Sequence, residues 1–308
     1  MTTSAPFLAA VELTAEPDDR FTARTQYCPW PKAYGGDMVA QALASAIATA
    51  GPDRRVNSMH GHFLRPVDVD SEVEYTVDRV RDGRGYSTRT VTGRQNGKTA
   101  FLATVSFQVP ENGPGIQIGM PDDVPDPESL PSSAEVLAHV EGPAARYWAE
   151  GRSFDMRHVP SPVYVDVEGA AVAHQAVWVK SFSPLPDDLD LHRLALAYVC
   201  DYTILESALR SVSTPWAAAG LSTASLDHAM WFHRDGRADE WVLYTQQAQS
   251  MQSNRALVSG SFFDARGHLL ASVAQEGMIR LPPGTAAHPG TPADPSTSTV
   301  STASGGTA

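Results

Sequence analysis

Asp201 stands in the run Ala197-Tyr198-Val199-Cys200-Asp201-Tyr202-Thr203-Ile204-Leu205, a carboxylate among apolar neighbours. Buried inside a helix, such a group costs several kcal/mol unless it is hydrogen-bonded or protonated. It reads either as a structural aspartate satisfied by a nearby donor, or as a general base with a perturbed pKa in a closed site. Two other polar residues could meet it. Ser225 opens an apolar strand, and Gln275 falls on the strand face of Leu269, Ala271 and Val273. With Asp201 they supply a base, a hydroxyl and an amide donor.

Other chemistries find less support. Gly93-Arg94-Gln95-Asn96-Gly97-Lys98-Thr99 resembles a phosphate-binding loop but is one residue short. It also lies between two strands, where a hairpin turn is the better reading. There is no Gly-x-Ser-x-Gly elbow and no His-Glu-x-x-His. His228 and His233 lack a carboxylate in ligand spacing, so no metal is expected. Cys28 precedes Pro29 and Cys200 sits in an apolar run, which suits buried thiols rather than nucleophiles. No cofactor is implied.

The elements around these residues repeat. Asp37 is a plausible N-cap for a helix over Met38 to Ala50, which Gly51-Pro52 stops. It is apolar all round except for Gln41, Ser45 and Thr49, which share one stripe, so it must be wrapped. Strands are expected at Ser58–Leu64, Ser71–Val80, Gly85–Gln95 and Thr99–Val109, with hairpin signals at Asp82-Gly83 and Asn96-Gly97. The second half repeats the order. A helix over Leu191–Arg210 precedes strands at Ser225–His233, Glu240–Gln247, Arg255–Phe263 and Leu269–Arg280. Phe63, Arg65 and Tyr75 recur as Phe232, Arg234 and Tyr244, a constant 169 positions later. A duplicated unit of one helix enclosed by a curved antiparallel sheet explains this. In the first copy, Gln41 or a neighbour replaces Asp201, while Ser58 and Ser106 fall near the positions of Ser225 and Gln275.

The chain has 308 residues, room for about two domains. Its formal charge of −12 makes it a poor ligand for nucleic acid or an anionic membrane. No apolar run spans a bilayer, two cysteines make no disulfide framework, and Met1-Thr2-Thr3-Ser4 does not open a signal peptide. A cytoplasmic protein is expected. Prolines at 110, 114, 121, 125, 127 and 131 mark a connection. It leads to a capping box at Ser132–Glu135 and a helix through about Glu150. The expected division is 1–112 for the first unit, 113–165 for a linker with a short helix, 166–281 for the second unit and 282–308 for a disordered tail.

These residues also carry a resemblance. Tyr34-Gly35-Gly36-Asp37-Met38-Val39-Ala40-Gln41-Ala42-Leu43 is similar to the Phe-Gly-Gly-x-x-x-x-Gln-Ala-Leu segment of type II (TesB-like) acyl-CoA thioesterases. His62-Phe63-Leu64-Arg65-Pro66 and the Arg81–Arg89 hairpin resemble two further segments of that family, as do Ser225–Arg234 and Gln275-Glu276-Gly277. The resemblance runs from about Val11 to Arg280. It implies an α+β double hotdog and places the family's catalytic set on Asp201, Ser225 and Gln275. Serine stands where some relatives have threonine, which keeps the hydroxyl but loses the methyl that stiffens χ1. The implied reaction is attack on a fatty acyl-CoA thioester by water that Asp201 activates, releasing fatty acid and CoA. Tyr34, Gly35 and Gly36 are expected to bind substrate, with backbone N–H groups near the two glycines as oxyanion donors. Apart from the resemblance, Arg84 and Arg89, in a cluster with Arg79, Arg81 and Arg94 around one hairpin, read either as a solvated strand face or as a basic surface that binds the CoA phosphates. A hotdog enoyl-CoA hydratase using His60 or His62, and a non-catalytic acyl-CoA-binding protein, are the alternatives. The fold leaves room for a homo-oligomer.

Overall fold

The computed structural model describes residues 2–285, so the expected tail lies almost wholly outside the described residues. The chain opens with helix α1 (Ala5–Val11) and strands β1 (Thr14–Glu16) and β2 (Arg20–Arg24). Helix α2 (Gly35–Ala48) follows, then β3 (Arg55–Phe63), β4 (Glu72–Asp82), β5 (Tyr86–Gln95) and β6 (Lys98–Gln108). Short helices α3 (Ser133–Val136) and α4 (Pro143–Arg146) lead to β7 (Phe154–Val159) and β8 (His174–Ser181). Then come α5 (Leu189–Val199), α6 (Glu206–Ser211), β9 (Ser222–Ser225) and β10 (Asp227–Phe232). Strands β11 (Val242–Gln252), β12 (Arg255–Asp264) and β13 (Leu269–Arg280) finish the fold.

All strands join one antiparallel sheet, ordered β1-β2-β4-β5-β6-β3-β10-β13-β12-β11-β8-β7, with β9 on β13. The order reads the same from either end once each strand is replaced by its repeat. The junction obeys that symmetry: His60 of β3 faces Ala229 of β10, its own counterpart 169 positions later. Each unit wraps one helical segment, which is the double-hotdog arrangement that the resemblance implies.

Helix α2 is buried from Gly36 to Ala46, as an all-apolar helix must be. Its polar stripe serves the wrapping. The Gln41 amide donates to the Arg24 carbonyl (3.0 Å) and its oxygen accepts from the Tyr75 hydroxyl (2.8 Å). Asp37 is not the N-cap; that position is Tyr34, and Asp37 lies buried in the first turn. The Asn96-Gly97 hairpin forms, with both residues at positive φ (50° and 72°).

Three expectations are corrected. The single helix over Leu191–Arg210 is broken: α5 ends at Val199, a 3₁₀ turn covers Cys200–Tyr202, and α6 begins at Glu206. Asp201 therefore sits on a tight turn, a common device for re-aiming a side chain. The linker helix is likewise short. Its capping box forms between Ser132 and Glu135, but Gly142-Pro143, with Gly142 at φ 119°, interrupts the run. Finally, β7 pairs with β8, so the sheet of the second unit starts at Phe154 rather than 166. Among the described residues no helix is long and apolar enough to cross a membrane.

Candidate active site

The structure brings Asp201, Ser225 and Gln275 together. The 3₁₀ turn carries Asp201, the end of β9 carries Ser225, and central strand β13 carries Gln275. The Ser225 hydroxyl donates to Asp201 Oδ1 at 2.7 Å, and Gln275 Nε2 donates to the same oxygen at 2.6 Å. Gln275 Nε2 also reaches Ser225 Oγ at 3.0 Å. Two donors from two other elements thus converge on one carboxylate oxygen.

A fourth residue completes the set. Gln275 Oε1 lies 2.9 Å from His228 Nδ1. The amide nitrogen must face the carboxylate, so the amide oxygen must accept, and Nδ1 must carry the proton. Burial pushes the His228 pKa down to about 4, so the ring is neutral. His228 holds Gln275 in the orientation that donates to Asp201. The sequence did carry a signal for this: His228 shares the inward face of β10 with Met230.

Burial raises the Asp201 pKa above the usual carboxylate range. Hydrogen bonds from Gln275 and Ser225 oppose the rise, as do the charge of Lys32 and the backbone N–H of Gly36. The result is a carboxylate more basic than usual. Gly35 is required here, because a Cβ on it would stand 2.5 Å from Asp201 Oδ2. The backbone N–H of Gly36 is directed to Asp201. Tyr34 lies beside the site. Its hydroxyl donates to the Tyr198 carbonyl (2.5 Å), and its ring stacks on Tyr202 with centroids 4.2 Å apart.

Asp201, partly accessible from this side, opens onto a cavity of about 990 Å³. Trp30, Tyr147, Trp148, Leu205 and Trp216 give it aromatic and aliphatic walls, and Lys32, Arg65 and Arg152 add three cations. Lys32 Nζ donates to the Thr223 carbonyl at 2.8 Å. Most of these residues lie in loops or in the 113–165 segment, where no periodicity points to them.

Arg84 and Arg89 are not brought to this cavity. Arg89 is buried (1% exposed) at the C-terminal end of α2. It donates to the Thr49 hydroxyl (3.0 Å) and carbonyl (3.1 Å) and to Asp82 (2.8 Å). Arg84 lies exposed in the adjacent hairpin. Gly35 begins the same helix, so about 20 Å separates its two ends. Arg79 is also engaged, pairing with Asp19 at 2.6 Å. Two of the five arginines in the cluster, Arg79 and Arg89, are thus held in ion pairs within the chain. Arg89 had a sequence signal too, since it alternates in register with inward-facing Ser87 and Val91.

Asp37 is a second buried carboxylate near the first. Burial pushes its pKa up to about 7, against hydrogen bonds from the Gln26 N–H and the Tyr198 hydroxyl, and the Asp201 charge raises it further. The unfolded chain loses this proton near 3.8, while the folded chain holds it to about 7. The protonated form therefore supports folding fully below about pH 4, and this support drains away up to about pH 7. The loss amounts to about 4 kcal/mol, at 1.36 kcal/mol per unit. Asp37→Asn should remove that slope. Urea unfolding at pH 5 and pH 8 checks this: the variant gains on the wild type at pH 8, and equal pH dependence contradicts it.

Comparison with known proteins finds a family and a fold. Residues 149–278 match the family model described as acyl-CoA thioesterase. Residues 24–108 match the acyl-CoA thioesterase N-terminal domain. The chain is 32% identical to acyl-CoA thioesterase 2 of Haemophilus influenzae, over 85% of this chain and 92% of that one. It is 35% identical to the crystal structure of acyl-CoA thioesterase II TesB2 from Mycobacterium marinum, with a TM-score of 0.73 over 90% of this chain and 99% of that one. A hotdog-fold protein of unknown function from Alicyclobacillus acidocaldarius shares the fold at 19% identity, with a TM-score of 0.73 over 90% of this chain and 98% of that one.

Proposed function

The chain belongs to the acyl-CoA thioesterase family, and on that premise we propose that it hydrolyses fatty acyl-CoA to free acid and CoA with water activated by Asp201. One observation carries the mechanism: Ser225 and Gln275 both donate to one oxygen of a carboxylate that opens onto an apolar cavity. The reacting water is held between Asp201, Ser225 and Gln275. Asp201 takes its proton as the oxygen attacks the thioester carbon, where a raised pKa favours transfer. Fixing the water's position converts a loose encounter into an oriented attack. The C–S bond then breaks, and the proton returns to the departing thiolate. The N-terminus of α2 faces the site, and its peptide dipoles stabilise negative charge developing there.

Ser225 serves as an anchor rather than a nucleophile. Its oxygen donates to Asp201 and accepts from Gln275, and His228 bonds Gln275 instead of the serine. Lys32 and the exposed Arg65 take the role toward the CoA phosphates that was expected of Arg84 and Arg89. The hydratase alternative loses its base, because His60 packs edge-on against Trp231 at 5.2 Å and His62 is exposed. Neither lines the cavity. One coupled assay tests the reading: thiol release from saturated acyl-CoA is expected. Water addition to enoyl-CoA without thiol release, or binding without turnover, would overturn it.

A further inference from the structure

A second pocket, of about 310 Å³, shares no lining residue with the catalytic cavity. Tyr164 stands between the two. Its ring stacks on Trp148 of the cavity, with centroids 5.1 Å apart, and its hydroxyl lies 2.9 Å from Ser133 Oγ of the pocket. Pro131, Pro160 and Pro162 give the pocket apolar walls, and His158 of β7 lines it. Asp166 and Glu168 stand exposed at its rim.

His158 is the unusual member. It is only 4% exposed, and its Nε2 is buried without a hydrogen-bond partner. That nitrogen stands 3.2 Å from Glu206 Oε2, out of hydrogen-bond alignment. Glu206 accepts from the Trp216 indole at 3.1 Å through its other oxygen. The nearby carboxylate assigns the ring proton to Nε2, which leaves the lone pair of Nδ1 without a donor among the described residues. A buried acceptor in that position is costly, and an N–H from a ligand would relieve it.

The rim has the same bias. Neither Asp166 nor Glu168 forms an ion pair among the described residues. Arg210, packed beside the pocket, donates instead to Gln175 (2.5 Å), to the Glu168 carbonyl (2.8 Å) and to Ser161 Oγ (3.1 Å). Among the described residues no three His, Cys, Asp or Glu side chains are grouped to hold a metal ion. What the pocket lacks is N–H donors with positive charge, joined by carbon that suits proline walls.

We infer that this pocket binds a small aliphatic diamine. One ammonium donates to His158, the other faces Asp166 and Glu168, and the methylene chain lies between the prolines. The site does not depend on the thioester chemistry proposed for Asp201, so its failure would leave that reading untouched.

Isothermal titration calorimetry of the full chain at pH 8 tests it, with putrescine, n-butylamine and butanediol as probes. Putrescine should bind at one site per chain, about 5-fold tighter than butylamine, the scale of a rim ion pair. The diol, which carries no charge, should not bind. His158→Leu should weaken putrescine by about 10-fold or more, the worth of a hydrogen bond to a charged group. Asp166→Asn with Glu168→Gln should erase only the advantage of putrescine over butylamine. Asp122→Asn with Asp123→Asn removes the same charge from the exposed connection and should change nothing. No saturable heat from the wild type would overturn the inference. So would equal losses in the two double variants, which would show diffuse attraction to an acidic protein. The rim residues are exposed, so their result stands even where His158→Leu fails to fold.

Discussion

Asp201→Asn should lower kcat for acyl-CoA hydrolysis by about 10²–10⁴-fold, the range attributable to a positioned general base. The substitution keeps the shape and an oxygen that can still accept from Ser225 and Gln275, so those two side chains have no reason to move. Only the ability to take a proton is lost. Stability should not fall with activity. Burial raises the pKa of Asp201, so folding disfavours its charged form. The stability it contributes is fullest at low pH and declines as pH rises through the folded-state pKa. A neutral asparagine escapes that decline, so the variant should melt at or above the wild-type temperature at pH 8. In the wild type, kcat/KM should drop on acidification at a pH above that of an ordinary aspartate. A variant within 10-fold of the wild type would reject Asp201 as the base.

Gln275→Ala should cost about 10²-fold, the scale of a lost oriented donor. It removes the donor to Asp201 Oδ1 and leaves the His228 Nδ1–H without its acceptor. The loss should appear in kcat more than in KM, because the amide orders the reacting water rather than the CoA. His228 acts only through Gln275, so His228→Leu should cost less, about 10-fold. The double variant should be no slower than Gln275→Ala alone. Additive losses would mean that His228 touches the reaction independently. Steady-state kinetics of the four proteins decides the matter.

The trio at the proposed site was legible because Asp201 is an acid in an apolar run and Gln275 an amide on a greasy face, although Ser225, expected to open a strand, instead ends β9. The hairpins were legible because Asp82-Gly83 and Asn96-Gly97 carry turn chemistry. Burial periodicity located α2, although it missed the break at Asp201, which only tertiary contacts reveal. Strand β7 alternates strictly, with Phe154, Met156 and His158 buried against Asp155 and Arg157, but six residues beside a proline-rich segment were too short a run to set it apart from the linker. Lys32, Trp30 and Arg152 were invisible for a different reason. They stand in irregular segments, where no period tells inward from outward. The arginine cluster misled because sequence proximity cannot separate the buried, fully bonded Arg89 from a phosphate ligand.

A single turnover in oxygen-18 water, quenched and followed by mass analysis of product and peptides, tests direct attack by water on the thioester. The account predicts that the first acid released carries the label, with the peptides of Asp201 and Ser225 unaltered. Heavy oxygen in the Asp201 peptide, or an acyl group on Ser225, would contradict it.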